Sequence, residues 1–123
     1  MEGDALKSLL ERARAWRDAD PDAETRDDLA RRIRAVEAAG RDEANDPVAD
    51  LHRCFEPPLG FGTAGLRGLK GPGPAHMNHR LIQRVTAVVA DVLRAEVPDA
   101  AARGVVIGYD ARAGSAELAA TAA

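Results

Sequence analysis

The feature that most constrains this fold is a segment rich in glycine and proline, residues 56–76. Its glycines are Gly60, Gly62, Gly65, Gly68, Gly71 and Gly73, and its prolines are Pro57, Pro58, Pro72 and Pro74. Glycine weakens a helix and proline removes a backbone donor, so no regular helix can run through such a segment. The sequence therefore predicts short extended pieces and tight turns here, with longer regular elements only before and after it.

Before this segment, apolar residues recur at three- and four-residue steps over residues 4–17 and again over 22–39. The first stripe is Leu6, Leu9, Leu10, Ala13 and Trp16, and the second is Leu29, Ile33 and Val36. A single apolar stripe on a charged surface is typical of an amphipathic helix. The pair Asp20-Pro21 interrupts the pattern between the two stretches. We therefore predict a helical arm over residues 1–55.

After the glycine-rich segment, residues 79–97 carry the clearest helical pattern. Its apolar residues are Leu81, Ile82, Val85, Val88, Val89, Val92 and Leu93. Next, Gly104–Tyr109 is a short, continuous and β-branched run, which predicts a buried parallel strand. A loop over residues 110–114 and a further helix are expected to follow. This order predicts the beginning of an α/β domain with a mixed or parallel sheet over residues 56–123.

Four single residues are expected to mark helix ends. Asp4, Asn78 and Ser115 each stand where a helical pattern begins, and their side chains are good N-caps. Gly40 follows the second helical pattern and is a natural C-terminal stop. For Ser115 we prefer the cap to a catalytic nucleophile, because no histidine base lies near it in the sequence.

The composition of the 123 residues is that of an ordinary folded domain, with 46% hydrophobic and 30% charged residues. Only 3% are aromatic, so the core is expected to consist of Ala, Val, Leu and Ile. The net charge of −3 gives no support for a nucleic-acid partner or an anionic membrane surface. A single cysteine, Cys54, allows no internal disulfide, and no signal peptide or membrane span is apparent. We expect a cytoplasmic protein, and its oligomeric state stays open.

The glycine loop, residues 60–68, is the first candidate for function. Backbone N–H groups at positions such as Gly62 and Gly65 can approach a ligand closely and hold phosphate oxygens. Thr63 adds a hydroxyl group. Arg67 adds a planar, charged guanidinium group, whose donors match the geometry of a phosphate. From the residues alone, the alternative is an ordinary glycine-rich turn with an arginine on the surface.

The glycine spacing Gly60-x-Gly62-x-x-Gly65 also matches the dinucleotide-binding fingerprint. That fingerprint needs a strand before it and a helix directly after it. Here Pro57-Pro58 precede it and further glycines follow, and no acidic residue stands where a ribose partner is expected. The sequence therefore favours a phosphate loop over a nicotinamide or flavin site.

The second candidate is the loop that follows the predicted strand. Asp110 could order this loop or a neighbouring arginine, and Arg112 could reach an anion at the sheet edge. The alternative is a turn aspartate beside a solvated arginine. The three histidines and Cys54 are too loosely spaced to form a zinc site, so we predict no metal site in this chain.

Two of these stretches together resemble a known family, the α-D-phosphohexomutases. Phe61–Gly68, with the sequence FGTAGLRG, resembles the N-terminal signature of phosphoglucomutases and phosphomannomutases. Val106–Arg112, with the sequence VIGYDAR, followed by Ser115, resembles the next signature of the same family. Met77-Asn78 ahead of an apolar helix also fits. The resemblance extends over nearly the whole chain.

The resemblance implies the first α/β domain of a larger mutase. Such an enzyme moves a phosphoryl group between positions 1 and 6 of a hexose, through an active-site phosphoserine and a hexose 1,6-bisphosphate, with Mg²⁺ as cofactor. It implies a sugar-phosphate substrate and leaves open which sugar is preferred. The residues that it assigns to phosphate binding are Gly62, Thr63, Gly65 and Arg67, and those that it assigns to support are Asp110 and Arg112.

The family's phosphoserine motif and its metal-binding loop do not occur in these residues. No catalytic or metal-binding residue is therefore expected in the chain, which resembles an N-terminal fragment of such an enzyme. These 123 residues alone are expected to show no mutase activity. The alternative is a non-catalytic module that binds phosphate or a partner, or a decayed remnant of the enzyme.

Overall fold

The computed structural model describes residues 2–39 and 46–123, and the chain divides into two compact units, residues 1–80 and residues 81–123. In chain order the elements are α1 (Gly3–Ala19), α2 (Ala23–Ala38), α3 (Pro47–Arg53), β1 (Phe61–Gly62), β2 (Gly65–Leu66), α4 (His79–Glu96), α5 (Ala100–Arg103) and α6 (Ser115–Ala122). The domain boundary predicted between residues 55 and 56 stays a prediction. No helix in the described parts of the chain is long and apolar enough to cross a membrane.

The core of the first unit lies between its three helices. α1 packs against α2 and α3, and α2 also packs against α3. The buried side chains are Leu9, Ala13 and Trp16 from α1, Leu29, Ile33 and Val36 from α2, and Leu51 from α3. Burying one leucine completely stabilises a fold by about 1.5–3 kcal/mol. The two predicted helices of the arm are therefore confirmed, and their stripes meet in one core.

A buried aspartate shapes the connection between α1 and α2. Asp20 is only 3% exposed, and one carboxylate oxygen accepts a hydrogen bond from the backbone N–H of Asp22 at 3.0 Å. The other oxygen accepts from the hydroxyl of Thr25 at 2.7 Å. The side chain of Asp22 then accepts from the N–H of Glu24 and caps α2. This compact turn lets the two helices fold back on each other.

In the first unit, the start of α1 and the presence of α3 differ from the sequence prediction, and one predicted helix end lies outside the described residues. α1 begins one residue early, at Gly3, so Asp4 lies in its first turn instead of capping it. α3 was not predicted at all, although Asp46 caps it by accepting from the N–H of Ala49 at 3.0 Å. The stop predicted at Gly40 falls outside the described residues.

Aromatic residues contribute to the core despite their scarcity. Trp16 and Phe55 are both buried, and their rings meet edge to face with centroids 6.4 Å apart. The guanidinium of Arg12 covers the Phe55 ring at 5.6 Å from its centroid. Trp16 belongs to the apolar stripe predicted for the arm, whereas the burial of Phe55 differs from the expectation of a core of Ala, Val, Leu and Ile. Cys54, next to this pair, is 2% exposed, and burial raises the pKa of its thiol.

The second unit contains most of α4, which matches the predicted helix closely. Its apolar face is largely exposed, with Val88 at 62% exposure and Val89 and Val92 also accessible. The predicted buried strand Gly104–Tyr109 is wrong, because this segment has no regular structure and Val106 is 99% exposed. A parallel strand forms only beside neighbouring strands. Residues 81–123, all of which are described, contain none.

Candidate anion-binding site

The glycine loop folds as a small hairpin in the first unit. β1 and β2 are antiparallel, with Phe61 opposite Leu66 and Gly62 opposite Gly65. Thr63 and Ala64 form the turn, and neither has a positive φ angle. Gly65 takes a φ of +88°, a region that favours glycine. A turn followed by a glycine at positive φ is a common way to close a short hairpin.

A surface pocket of about 280 Å³ opens at this hairpin. It is lined by Gly60, Gly62, Thr63, Ala64, Gly65 and Arg67, which include all four residues predicted to bind phosphate. Both Thr63 and Arg67 are exposed. Within residues 2–39 and 46–123, Arg67 has no hydrogen-bond or ion-pair partner. The hairpin therefore presents a cation and a hydroxyl group beside glycine backbone.

Two glycines of the pocket are not explained by the fold itself. A Cβ atom on Gly60 would meet nothing within 4 Å, and one on Gly62 would meet only the carbonyl oxygen of Gly65, at an ordinary contact distance of 3.8 Å. Neither residue has a positive φ angle. Conformation and internal space would thus accept a side chain at both positions, whereas a ligand that approaches the backbone would not.

The base of the hairpin is fastened to the segment that follows it. On one side, the N–H of Leu59 donates to the carbonyl oxygen of Pro74 at 2.9 Å. On the other side, the carbonyl oxygen of Leu69 accepts from the N–H of Met77 at 2.8 Å. The side chain of Leu59 also lies so close to Gly68 that a Cβ there would collide with it. The hairpin tip is open, but its base is fixed.

The following segment is in turn attached to the end of α3. Gly73 has a φ of +83° and lies against the carbonyl group of Cys54, where no Cβ atom would fit. The same carbonyl oxygen accepts a hydrogen bond from the N–H of Ala75 at 3.0 Å. An ion pair of 2.7 Å between Arg12 and Glu56 joins α1 to the start of the glycine-rich segment. The helical arm thus provides the support for the hairpin.

The other predicted loop, residues 110–114, lies in the second unit. The carboxylate of Asp110 accepts from the backbone N–H of Arg112 at 3.0 Å and pairs with its guanidinium at 3.0 Å. The N–H bond, followed by the charge of Arg112, holds the pKa of Asp110 below its usual range. The hydroxyl oxygen of Ser115 accepts from the N–H of Asp110 at 3.1 Å. Gly114 occupies the cap position of α6, so the predicted Ser115 cap is wrong.

The residues of the hairpin suit binding more than covalent chemistry. The pocket lining contains no carboxylate, histidine or cysteine that could serve as a base or a reactive thiol. Among the described residues, no group of three or more His, Cys, Asp or Glu side chains could hold a metal ion. Backbone amides, a hydroxyl and a guanidinium form a surface that fits an anion.

One residue of this region, Asn78, makes contacts that the sequence does not predict. Asn78 was expected to cap α4, but its side-chain amide also donates to backbone carbonyls of residues 71–76. The only signal for this in the sequence is an asparagine that closes a glycine- and proline-rich loop, whose carbonyl groups need donors. The site roles assigned to Gly62, Thr63, Gly65 and Arg67, and to Asp110 and Arg112, stay predictions.

Comparison with known proteins gives one family. Residues 58–123 match the description "Phosphoglucomutase/phosphomannomutase, alpha/beta/alpha domain I". The match covers more than half of the chain and includes both the hairpin and the loop over residues 110–114. The α/β class predicted from the sequence is therefore confirmed, although the described residues form only a small antiparallel sheet.

Individual relatives carry related names. The chain is 36% identical over 104 residues to a protein named "Probable phosphoribomutase" from Schizosaccharomyces pombe, a match that covers 85% of this chain and 16% of that protein. It is 38% identical over 78 residues to the human "Phosphopentomutase", covering 63% of this chain and 13% of that protein. It is 42% identical over 65 residues to a "Phosphoglucomutase" from Staphylococcus haemolyticus, covering 53% and 11%. The chain thus spans less than a fifth of the length of these relatives. No solved structure matches it.

Proposed function

The chain belongs to the phosphoglucomutase/phosphomannomutase family, and from this premise we propose that it supplies a phosphate-binding loop to a phosphosugar mutase. The observation that carries the proposal is the exposed guanidinium of Arg67, which has no partner among the described residues and lies beside a pocket lined by glycine backbone. Such a mutase interconverts a sugar 1-phosphate and the isomer that carries the phosphate on its terminal carbon.

The proposed ligand group is a phosphate monoester. Its oxygens would accept hydrogen bonds from backbone N–H groups near Gly62 and Gly65 and from the hydroxyl of Thr63. Arg67 would bind the phosphate through two parallel, charge-assisted hydrogen bonds. Each of these is roughly twice as strong as a neutral hydrogen bond. Because the pocket is open to water, salt should weaken this binding. The names of the relatives include both pentose and glucose mutases, so the proposal specifies a phosphosugar and leaves the sugar open.

The family resemblance supplies the rest of the proposed reaction. A phosphoserine gives its phosphoryl group to the sugar monophosphate, which becomes a bisphosphate. The bisphosphate reorients, and the serine takes back the other phosphoryl group, so each transfer breaks one P–O bond and forms another. We assign neither the serine nor any magnesium ligand to the described residues. The proposal accordingly includes no turnover by these 123 residues alone.

Asp110 and Arg112 have a supporting role in the same proposal. Their ion pair and the Asp110–Ser115 hydrogen bond give residues 110–114 a defined shape. The charge of Arg112 is partly neutralised by Asp110, which makes Arg67 the stronger candidate for the phosphate contact. A cytoplasmic location belongs to the proposal as well, since a phosphorylated sugar is an intracellular type of substrate and the single cysteine needs no oxidising compartment.

The test is a titration of the 123-residue chain with inorganic phosphate, followed by the NMR amide signals of Gly62, Thr63 and Gly65. We expect saturable shifts of these signals at millimolar phosphate. Arg67→Gln should weaken binding by about tenfold or more, because one charge-assisted hydrogen bond is lost. The matched control is Arg31→Gln, which removes another exposed arginine, in α2, and changes the net charge by the same amount.

Two results would contradict the proposal. One is an absence of saturable shifts at the hairpin amides. The other is an equal loss of affinity in the Arg67 and Arg31 variants, which would mean that net charge alone explains the weaker binding. A non-catalytic phosphate-binding module would give the same titration as the mutase. Turnover of a sugar 1-phosphate by a protein that carries this chain would separate these two functions.

A further inference from the structure

A single buried carboxamide lies at the end of the glycine-rich segment. Asn78 is 4% exposed and immediately precedes α4. Its Nδ2 atom lies 2.8 Å from the carbonyl oxygen of Gly71, 2.7 Å from that of Gly73 and 3.1 Å from that of His76. One side chain therefore gathers three carbonyl groups of a loop that has no regular structure of its own.

The identity of the donor atom follows from this environment. Carbonyl oxygens only accept hydrogen bonds, so the group that faces three of them must be the NH₂ side of the carboxamide. Its two hydrogens serve the two shorter contacts, to Gly73 and Gly71, and the His76 contact shares one of them. Neither a carboxylate nor a hydroxyl group could replace these two donors.

This loop is the one to which the hairpin is fastened. Pro74 accepts from Leu59, the residue before the glycine loop, residues 60–68, and Met77 donates to Leu69, the residue that follows that loop. Met77 also accepts a hydrogen bond from the N–H of Gly71 at 3.2 Å. The shape of residues 71–77 therefore determines the distance and the angle between the two ends of the hairpin.

We propose that Asn78 is a positioning residue of the phosphate-binding hairpin, which it orients through residues 71–77 without touching the ligand. The inference rests on the proposed function of the hairpin and adds to it a residue on which the pocket geometry depends. When the two Nδ2 donors are lost, the loop carbonyls must turn towards water, and the ends of the hairpin separate. The binding-competent arrangement of the amides and Arg67 then becomes a smaller fraction of the population, and the apparent affinity falls by that fraction.

The test compares Asn78→Asp and Asn78→Ser with the wild-type 123-residue chain. Both replacements are good helix N-caps, so a residue that served only to cap α4 would tolerate them. Both lack the two NH₂ donors. We expect faster amide hydrogen exchange at Leu59 and Met77, whose N–H groups fasten the base of the hairpin, without any ligand. We also expect a dissociation constant for inorganic phosphate that is about tenfold higher, as measured by the shifts of the Gly62 and Gly65 amides.

The matched control is Asp22→Ala, which removes one side-chain cap from α2 and loses stability without touching the hairpin. Its hairpin exchange, corrected for global stability, and its phosphate affinity should equal those of the wild type. The amides of Leu9 and Leu29 in the arm report global unfolding. Faster exchange in the Asn78 variants that is confined to the hairpin and residues 71–77 supports the proposal.

Two outcomes overturn the proposal. Wild-type exchange and affinity in both Asn78 variants would mean that the carboxamide does not position the hairpin. An equal loss of protection in the arm and in the hairpin would make Asn78 a general stability residue. If the wild-type chain binds no phosphate, the proposed function fails, whereas the exchange measurement still decides whether Asn78 orders the hairpin.

Discussion

In the first unit, residues 1–80, Leu29 and Leu51 are completely buried, whereas in the second, residues 81–123, Val106 is 99% exposed. Both units have apolar residues in regular patterns, so hydrophobicity does not explain the difference. The first unit consists largely of helices, which satisfy their own backbone and pack against neighbours close in sequence. The run Gly104–Tyr109 could bury its side chains only in a sheet, and a sheet needs partner strands.

This comparison indicates which part of the chain is stabilised by its own contacts. The arm of α1, α2 and α3 has a core, capped helices and a defined turn at Asp20. The hairpin at Phe61–Leu66 has almost no core, but it is fastened to that arm through its base. In the second unit, by contrast, Leu81 is the only described residue that is buried. Stability should therefore be concentrated in the first unit.

The largest effect is expected from a substitution that creates a cavity in the core of the first unit. Leu29→Ala removes a completely buried side chain and should reduce the free energy of unfolding by about 2–5 kcal/mol. Val106→Ala removes an exposed side chain and should change it by less than about 0.5 kcal/mol. Urea unfolding followed by circular dichroism, with Trp16 fluorescence as a probe of the arm, measures both. Similar losses in the two variants would end the distinction between the units.

A smaller difference between the units is expected from a second pair of variants, at two glycines that share a positive φ angle. Gly73, in the first unit, lies against the carbonyl group of Cys54, whereas a Cβ on Gly104, in the second, would meet nothing within 4 Å. Gly104→Ala should add only conformational strain, about 1–3 kcal/mol, because the φ of 69° and ψ of −174° at this position belong to a region that almost only glycine adopts. Gly73→Ala adds a backbone collision and should destabilise the first unit by at least about 1–3 kcal/mol more.

Urea midpoints of the two glycine variants test this difference, with the exchange rates of the hairpin amides as a local probe. Gly73→Ala should also speed exchange at Leu59 and Met77, since it displaces residues 71–77, to which their N–H bonds are tied. If Gly104→Ala proved the more damaging, residues 104–109 would have packing in solution that their exposure does not indicate.

The smallest effect concerns the loop of the second unit. The backbone N–H and the guanidinium of Arg112 keep the pKa of Asp110 below its ordinary value of 3.8. The ionised carboxylate therefore stabilises this loop above that ordinary pKa, and the contribution is lost as the pH falls through the lower, folded pKa. An NMR titration of the Asp110 carboxyl group should give a midpoint below 3.8.

A variant separates the two causes of this shift. Arg112→Ala keeps the backbone N–H, so the pKa of Asp110 should rise only part of the way towards its ordinary value. A midpoint at the ordinary value in the wild type would mean that the loop lacks its hydrogen bonds in solution. The second unit would then have less local order than its loop indicates, and the contrast between the units would increase.

The two helices of the arm could be predicted from the sequence because helix formation depends on local residues and on one apolar stripe. The stripes of Leu9, Ala13 and Trp16, and of Leu29, Ile33 and Val36, were predicted by residue. The strand Gly104–Tyr109 was predicted wrongly, because its pattern indicates what the segment would do beside partner strands. α3 was missed because it is short and has one buried residue, Leu51, too few to produce a periodic signal.

The residues of the candidate site could be predicted from the sequence, but the contacts that hold the hairpin in place could not. The spacing of Gly62, Gly65 and Arg67 identified the residues that line the pocket, because they are adjacent in sequence and lie in one hairpin. The anchoring of that hairpin joins residues that are far apart in sequence, such as Leu59 with Pro74. No local pattern encodes contacts of that kind. Asn78 was predicted as a helix cap for the same reason, since its carbonyl partners depend on the path of the loop.

The open tip of the hairpin has a consequence for protein engineering. Side chains added at Gly60 or Gly62 would meet almost no neighbour within the chain. Under the proposed function, tolerance to substitution at these positions is set by the ligand and hardly at all by folding. A designer could alter what this loop accepts, in size or in charge, without having to repair a hydrophobic interior afterwards.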